Sequence, residues 1–196
     1  MVKLNLSKAI EALKNGEVIV YPTDTLYGLG ADIFSDSTVQ KIYRIKNRPC
    51  NIPLSVAVSD LNELKKIAFT NDYVECLAKS FLPGKLTLIL KKKKCVSNVV
   101  TAGHDKVAVR IPNDKIALKL LSKFGPLTAT SANIHNKETP SNINDIKMQF
   151  KEKDIAVYLD IGELKGYPST IVDITDKKIK ILREGAITKK DILDAI

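Results

Sequence analysis

Short apolar runs typical of buried β-strands alternate along the chain with segments whose apolar residues recur every three or four positions, as in amphipathic helices. The second pattern predicts helices at residues 7–15, 36–46, 60–68, 71–81, 114–124, 142–150 and 189–196. The first predicts strands within residues 17–22, 53–58, 85–92, 106–112, 125–133, 155–162, 168–175 and 178–185. This interleaving favours an α/β or α+β fold. Because no internal repeat or low-complexity linker divides the chain, we expect a single domain, residues 1–196.

Two of the predicted helices carry distinct local signals. Ser7 is a candidate cap for the first helix, and Gly16 follows that helix as a stop. The helix at residues 114–124 has the clearest amphipathic pattern. Its single apolar stripe is formed by Ile116, Ala117, Leu120, Leu121 and Phe124.

The composition is that of an ordinary globular protein, with 44% hydrophobic and 27% charged residues among 196. No apolar run approaches the roughly 18 residues of a spanning helix, and the N-terminus lacks the apolar core of a signal peptide. We therefore expect a cytoplasmic protein with no membrane association. Three cysteines without CxxC spacing and two histidines argue against a disulfide framework, a zinc site and a Ser-His-Asp triad.

The net charge of +9 favours an anionic partner such as a nucleotide or RNA. A chain rich in lysine, isoleucine and asparagine also arises from genome composition alone, so the charge by itself does not identify a partner. The run "LKKKKC" at residues 90–95 is typical of a solvated strand end rather than a binding patch.

The stretch "YPTDTLYGLG" at residues 21–30 places two threonines and an aspartate after a buried strand. Hydroxyls and backbone N–H groups together suit a carboxylate or a phosphate. Gly28 and Gly30 allow tight backbone turns, and a plain turn without any ligand role is an equally simple interpretation of them. The GxG does not continue to GxGxxG, and no GxxxxGK[ST] is present, so neither a dinucleotide fingerprint nor a P-loop is predicted.

Arginine is rare in this chain, which has four arginines among 31 basic residues. Arg48 follows a predicted helix and precedes Pro49, which restricts the backbone at Arg48 to extended geometry. The planar guanidinium grips phosphate or carboxylate oxygens with two parallel hydrogen bonds, which lysine cannot do. We therefore predict that Arg48, supported by Lys46, is a phosphate ligand. Arg44 is compatible with a solvent-exposed helix residue.

Three further polar groups flank predicted strands. Arg110 lies within a strand, a position unusual for a charge unless the side chain faces a site, although a surface ion pair is equally compatible. Ser131 and Asn133 follow another strand, outside any GxSxG elbow, so Ser131 fits a hydrogen-bonding ligand better than a nucleophile. Ser169 and Arg183 flank the late strands. Any one of these residues alone is compatible with an ordinary structural role, and only their joint occurrence favours a site.

Taken in order, six short runs resemble the YrdC-like family of L-threonylcarbamoyl-AMP synthases. The resemblance implies a twisted mixed α/β sheet with flanking helices and a concave basic cavity, in the short, single-domain type because the chain ends soon after the last run. The matching runs, which span residues 22–185, are "PTDTLYGLG", "KNRP" with "PLSV", "VAVRIP", "TSAN" with "PS" downstream, "PSTIVD" and "LREG".

The same resemblance implies the ligands and the residues that hold them. The substrates would be L-threonine, bicarbonate or CO2, and ATP with Mg²⁺ on its phosphates. Catalysis would use no dedicated acid or base and no protein metal site, and Lys46 and Arg48 would stabilise charge. The implied threonine ligands are Thr25, Arg110, Ser131 and Ser169, with Arg110 on the carboxylate. The implied ATP ligands are Lys46, Arg48, Asn133, Ser141 and Arg183.

The product would be L-threonylcarbamoyl-AMP, which a partner threonylcarbamoyl-transferase complex uses to modify an adenosine beside the tRNA anticodon. Two positions depart from the family pattern: Ile52 replaces a frequent asparagine, and Ala57 replaces the histidine of many longer relatives. Three alternatives therefore stay open at this point. They are a double-stranded RNA or tRNA-binding protein of the same fold, a module that adenylates another carbamoyl compound, and a paralogue with lost or changed activity.

Overall fold

The structure, a computed structural model, describes residues 5–151, 154–176 and 179–196. All seven predicted helices are present, with ends within two residues of those expected. The predicted strands match less closely, because the observed strands are shorter than the apolar runs that contain them. The helices are α1 (Leu6–Lys14), α2 (Asp36–Lys46), α3 (Leu61–Ile67), α4 (Asp72–Phe81), α5 (Lys115–Phe124), α6 (Ile143–Gln149) and α7 (Lys189–Asp194).

Ten strands in the described residues form two sheets, so the predicted mixed α/β architecture is confirmed. The larger sheet has the order β10-β9-β4-β5-β3-β6 and combines parallel pairs, such as β3 with β5, with antiparallel ones. The smaller sheet has the order β7-β2-β1-β8. The strands are β1 (Ile19–Tyr21), β2 (Gly28–Gly30), β3 (Ser55–Ala57), β4 (Leu86–Lys91), β5 (Lys106–Arg110), β6 (Leu127–Thr128), β7 (Thr130–Ser131), β8 (Val157–Tyr158), β9 (Thr170–Asp173) and β10 (Lys180–Arg183). Lys178, the first residue of the last predicted strand, lies outside the described residues.

The helix ends follow local chemistry. Asp114 caps α5 by accepting hydrogen bonds from the backbone N–H groups of Ile116 and Ala117, which are otherwise unpaired at a helix N-terminus. The cap predicted at Ser7 is wrong, because α1 already begins at Leu6 and Ser7 lies within its first turn. The predicted stop at Gly16 is confirmed by its left-handed φ of 70°.

The stretch expected to turn at Gly28 and Gly30 is instead strand β2, which pairs antiparallel with β1. The prediction of turn glycines is therefore wrong, and packing explains why these positions lack side chains. A Cβ at Gly30 would lie 3.0 Å from the Tyr21 ring, and one at Gly28 would lie 3.3 Å from it. The glycines let the buried Tyr21 ring lie flat against β2.

The segment 127–131 passes from the larger sheet to the smaller one, because β6 pairs with β3 and β7 pairs with β2. Thr128 fixes this crossing, since its hydroxyl accepts from the Ala31 N–H at 3.0 Å and donates to the Leu29 carbonyl at 2.8 Å. The crossing holds Ser131 beside the strand that follows the "PTDT" stretch. Two apolar clusters pack against the sheets, and no helix in the described ranges is long and apolar enough to span a membrane.

The cysteines, the lysine run at residues 90–95 and Arg44, for which the sequence predicted no ligand role, have the exposure expected of them. Cys50, Cys76 and Cys95 are free and exposed. Strand β4 ends at Lys91, inside the lysine run, and Lys94 beyond it is exposed. Arg44 is also exposed, on the outer face of α2, in keeping with a solvated helix residue.

Candidate functional site

A cavity of about 560 Å³ opens between the two sheets and the loops that join them. This volume is within the ordinary range for a small-molecule or cofactor pocket. Six of the nine ligand residues expected from the sequence line it: Thr25, Arg48, Arg110, Ser131, Ser169 and Arg183. The remaining wall combines further serines and threonines with apolar residues, among them Ile52, Pro53, Ile89, Ala108, Ile171 and Leu182.

Arg110 ends strand β5 and is only 6% exposed at the base of the cavity. Its Nη1 donates to Thr25 Oγ1 at 2.9 Å, and its Nη2 donates to Asp24 Oδ1 at 2.6 Å. Thr23 extends this arrangement, because its hydroxyl lies 2.9 Å from that of Thr25. Burial lowers the pKa of Arg110, and the Asp24 carboxylate opposes that effect. Arg110 therefore lies in the cavity wall with its charge already matched by a carboxylate.

The ion pair between Arg110 and Asp24 uses only part of each group. Asp24 Oδ2 and Arg110 Nε are both buried and have no hydrogen-bond partner among the described residues. A bidentate pair would satisfy both carboxylate oxygens from one guanidinium edge. The observed pairing leaves the guanidinium turned so that Nη1 reaches Thr25.

Arg48 differs from Arg110, because its guanidinium contacts no carboxylate in the described part of the chain. Its Nε donates to the Ile52 carbonyl at 3.2 Å and its Nη2 to the Pro53 carbonyl at 2.8 Å. Helix α2 ends at Lys46, and the residue after it, Asn47, adopts the left-handed region with φ 49°, which turns the chain so that Arg48 reaches the cavity. Burial lowers the pKa of Arg48. The charge of Arg48 is held in place by neutral oxygens and is not neutralised.

Arg183, at the end of β10, is held in a similar way. Its Nε and Nη2 both donate to the Ser169 carbonyl, at 3.1 and 2.8 Å, and Nη2 also lies 3.3 Å from Ser169 Oγ. Burial lowers the pKa of Arg183, and the positive charge of Arg110 lowers it further. Arg183 is therefore close enough to Arg110 for their charges to interact, and its own guanidinium is bonded to no carboxylate in the described residues.

Lys46 is buried, 2% exposed, and lies behind the cavity wall rather than in it. Its Nζ donates to the carbonyl oxygens of Ser131 and Asn133, at 2.6 and 2.5 Å, and to Asn133 Oδ1 at 3.3 Å. Burial lowers the pKa of Lys46 to about 7, and the charge of Arg48 contributes to the shift. Lys46 thus ties the end of α2 to Ser131, the last residue of β7, and to the loop that follows it.

Asn133 and Ser141 likewise do not line the cavity. Asn133 accepts from Ser131 Oγ at 2.5 Å and donates to the carbonyl oxygens of Ile134 and Lys137, so it shapes the loop after β7. Ser141 donates to Glu163 at 3.2 Å. In this structure Asn133 and Lys46 support the wall through their contacts with Ser131, and the expected contacts of all three residues with ATP stay predictions.

The sequence reasoning assigned no ligand role to five further serines and threonines that line the cavity: Thr23, Ser55, Thr87, Thr130 and Thr139. Thr87 lies in β4 and its hydroxyl is 2.8 Å from Ser169 Oγ. The available signal for Thr87 was a single polar residue inside the apolar run "LTLIL".

Of the two departures from the family pattern, Ile52 lines the cavity, whereas Ala57 is buried in the cluster beneath α1 and α5.

Comparison with known sequences gives matches over nearly the whole chain. The Sua5/YciO/YrdC family profile, described as "Telomere recombination", matches residues 11–185. A putative threonylcarbamoyl-AMP synthase of Methanocaldococcus jannaschii is 42% identical over 185 residues, which cover 92% of this chain and 87% of that protein. The threonylcarbamoyl-AMP synthase of Pyrococcus abyssi is 37% identical over 183 residues, which cover 92% of this chain but only 54% of that protein.

Solved structures agree with these matches. P. abyssi Sua5 complexed with L-threonine superposes with a TM-score of 0.93 at 36% identity, over 97% of this chain and 57% of that one. Escherichia coli YciO superposes with a TM-score of 0.87 at 32% identity, over 95% of this chain and 92% of that one. The chain thus spans little more than half of the archaeal Sua5 and nearly all of YciO. From its profile match, its relatives and its fold, the chain belongs to the Sua5/YciO/YrdC family.

Proposed function

We propose that this protein is an L-threonylcarbamoyladenylate synthase, a nucleotidyltransferase that forms L-threonylcarbamoyl-AMP and pyrophosphate from L-threonine, bicarbonate or CO2, and ATP. Two kinds of relative support the proposal: sequences named as threonylcarbamoyl-AMP synthases, and a Sua5 structure that holds L-threonine. The product would serve a separate transferase that modifies tRNA beside the anticodon. Direct binding of tRNA by this chain is a further proposal.

The observation that carries the proposal is the convergence of three arginines with the hydroxyls of Thr25, Ser131 and Ser169 on one cavity. These side chains come from segments spread between residues 25 and 183, and nothing in an ordinary core requires three guanidinium groups to meet. Carboxylate, carbamate and triphosphate are all anions. A site that gathers positive charge and hydroxyl donors around a partly apolar space suits an amino acid together with a nucleotide.

The chemistry needs positioning more than proton transfer. The threonine amine attacks CO2, forms the N–C bond and loses a proton to give a carbamate. A carbamate oxygen then attacks the α-phosphorus of ATP, a new P–O bond forms, the bond from the α-phosphorus to the bridging oxygen breaks, and pyrophosphate leaves with the electron pair. Because all the reactants are anionic, holding them together against their mutual repulsion is the main contribution of the protein.

The geometry supports a division of the cavity into two halves. Thr25, with Arg110 and Ser131, would hold the amino acid, and Ser169 would contribute from the facing wall. Arg48 and Arg183, whose guanidinium groups are bonded to backbone carbonyls rather than to carboxylates, would face the phosphates. Lys46, Asn133 and Ser141 would act at the nucleotide side, where Lys46 and Asn133 already fix the loop that presents Ser131.

Mg²⁺ would enter as part of the substrate, bound to the ATP phosphates. Within the described ranges no cluster of three or more His, Cys, Asp or Glu side chains is placed to hold a metal ion. The Mg²⁺ charge would add to that of Arg48 and Arg183 at the leaving pyrophosphate.

The test measures pyrophosphate release from ATP and Mg²⁺, with L-threonine and bicarbonate each omitted in turn. Release that requires both is expected. Release that requires bicarbonate but a different amino acid, or another carbamoyl compound, would replace the proposal with a related adenylating activity. Absence of release under every condition, together with salt-sensitive binding of double-stranded RNA, would favour a non-catalytic RNA-binding protein.

A further inference from the structure

Thr87 and Ser169 form a pair of hydroxyl groups in the cavity wall. Thr87 is 2% exposed and Ser169 is 5% exposed, and their oxygens lie 2.8 Å apart. The backbone sets this distance, because β4 and β9 run parallel and the Thr170 N–H donates to the Lys85 carbonyl at 3.0 Å. The pair is therefore built by the sheet and not by a mobile loop.

The hydrogen-bonding capacity of Ser169 can be counted. A serine hydroxyl has one hydrogen to donate and two lone pairs that accept. Arg183 can only donate, and its Nη2 occupies one lone pair of Ser169 Oγ at 3.3 Å. One hydrogen and one lone pair remain, to be shared between Thr87 and whatever occupies the cavity.

The chemistry of the substrate decides how they are shared. A carboxylate or carbamate oxygen only accepts hydrogen bonds, so Ser169 can bind it only by donating its single hydrogen into the cavity. The Thr87 hydroxyl must then donate to the remaining lone pair of Ser169. In the described residues Ser169 is the only hydrogen-bond partner of Thr87 Oγ1, so no competing acceptor draws this hydrogen away.

We propose that Thr87 is a positioning residue that donates to Ser169 and so directs the Ser169 hydroxyl hydrogen at an acceptor oxygen of the amino acid substrate. The proposal rests on the proposed function for the identity of that substrate. A chain of hydroxyls polarises each member, so Ser169 becomes a better donor with Thr87 behind it. Without the Thr87 hydroxyl, the orientation of Ser169 is no longer fixed and one of its lone pairs is left unpaired in the wall.

The test compares Thr87→Val, which removes the hydroxyl and keeps the branched shape, with Thr87→Ser, which keeps the hydroxyl and removes the methyl group. Loss of one hydrogen bond to an anionic ligand corresponds to about a tenfold change in binding. We expect Thr87→Val to raise the threonine KM in pyrophosphate release and the calorimetric threonine Kd about tenfold, with the ATP KM unchanged. Thr87→Ser is expected to stay within about twofold of wild type.

Thr101→Val is the matched control. Thr101 is a fully buried threonine outside the cavity, and its hydroxyl donates to the His104 carbonyl at 2.8 Å. This variant loses a buried threonine hydroxyl and the associated stability but should keep the threonine KM of wild type. If Thr87→Val does not fold, as judged by circular dichroism, Thr87→Ala supplies a second variant without the hydroxyl.

The outcomes separate this inference from the proposed function. Pyrophosphate release by wild type with an unchanged threonine KM in Thr87→Val overturns the inference and leaves the function standing. Equal losses in Thr87→Val and Thr87→Ser also overturn it, because keeping the hydroxyl would then give no advantage. Threonine binding that weakens in Thr87→Val, without any pyrophosphate release by wild type, supports the inference and overturns the function. No threonine binding by wild type overturns both.

Discussion

Arg110 and Arg48 line the same cavity, yet they are held by opposite kinds of partner. Arg110 is paired with the Asp24 carboxylate at 2.6 Å, so its charge is largely cancelled. Arg48 donates only to the backbone carbonyls of Ile52 and Pro53, which fix its orientation without cancelling its charge. The comparison shows that lining a cavity and contributing net charge to it are separate properties of an arginine.

Arg183 belongs with Arg48, because its side chain is held by the Ser169 carbonyl. Two of the three arginines are thus oriented by dipoles and keep their charge for a ligand, whereas the third is part of an ion pair that shapes the pocket. A preorganised site of this kind does not need to break an ion pair when a phosphate arrives. At the Arg110 side a ligand would instead meet an existing pair of opposite charges.

The largest expected effect concerns stability at Asp24. Removing one partner of a buried ion pair leaves the other charge uncompensated, so Asp24→Ala should lower the free energy of unfolding by about 3–5 kcal/mol. Arg48→Ala removes only hydrogen bonds to neutral carbonyl oxygens, so it should lower the free energy of unfolding by about 1 kcal/mol. Urea unfolding of the two variants measures the difference. Similar losses in both would contradict the distinction between the two arginines.

The next effect concerns catalysis at Arg48. Arg48→Ala should reduce kcat/KM for ATP at least about 100-fold, because a fixed cation at the phosphates is lost while the fold persists. Arg48→Lys should recover only a small part of the activity, because an ammonium cannot reproduce the guanidinium fork. Arg44→Ala is the matched control, since Arg44 is an exposed arginine on α2, the helix that immediately precedes Arg48. Activity like that of wild type in Arg48→Ala would remove Arg48 from the site.

A smaller and more selective effect is expected at Arg110. Arg110→Lys keeps a positive charge near Asp24 but loses the geometry that reaches both Asp24 and Thr25. The threonine KM should rise about tenfold at saturating ATP, and the ATP KM should change by less than about twofold. Steady-state pyrophosphate release gives both constants. A threonine KM equal to that of wild type would show that Arg110 has a structural role and does not bind threonine.

The smallest effect is a dependence of the free energy of unfolding on pH, caused by Lys46. Like Arg48, Lys46 donates only to neutral oxygens. Its pKa is about 7 in the folded protein, against 10.5 in its ordinary state. Between these values the unfolded chain binds a proton that the folded chain does not, so the free energy of unfolding should rise with pH. The slope is at most about 1.4 kcal/mol per pH unit.

Urea unfolding at pH 7, 8 and 9 measures this slope. Lys46→Met removes the titrating group and keeps much of the volume, so its unfolding free energy should lack the rise. A parallel rise in wild type and in Lys46→Met would show that the dependence comes from other groups.

Local sequence signals predicted the helices well because their information is local. Helix α2 was expected at the residues where it occurs, since its apolar face and the Pro49 after it lie within one short stretch. Strand β2 was missed because "GLG" has no strand propensity, and its reason to exist is the Tyr21 ring on a neighbouring strand. Packing between segments, rather than local preference, created that strand.

The site residues show the same contrast between local signals, which sequence patterns reveal, and contacts between distant segments, which they do not. Arg110 was recognised as a site residue because a charge within a strand is unusual, but its partner Asp24 lies 86 positions away and could not be assigned from spacing. Thr87 was missed because a threonine in an apolar strand is unremarkable until the fold places Ser169 beside it. The motifs supplied the residue types, and the sheet topology determined which of them lie together.

The most direct test of the central claim follows carbon from bicarbonate into an adenylate. The protein is incubated with ATP, Mg²⁺, L-threonine and ¹³C-bicarbonate, and the nucleotide products are analysed by mass spectrometry. The account predicts threonylcarbamoyl-AMP that carries one ¹³C, formed by wild type and by Arg44→Ala but not by Arg48→Ala. A wild-type reaction that consumes no ATP, or that yields AMP without any ¹³C-labelled threonylcarbamoyl-AMP, would contradict it.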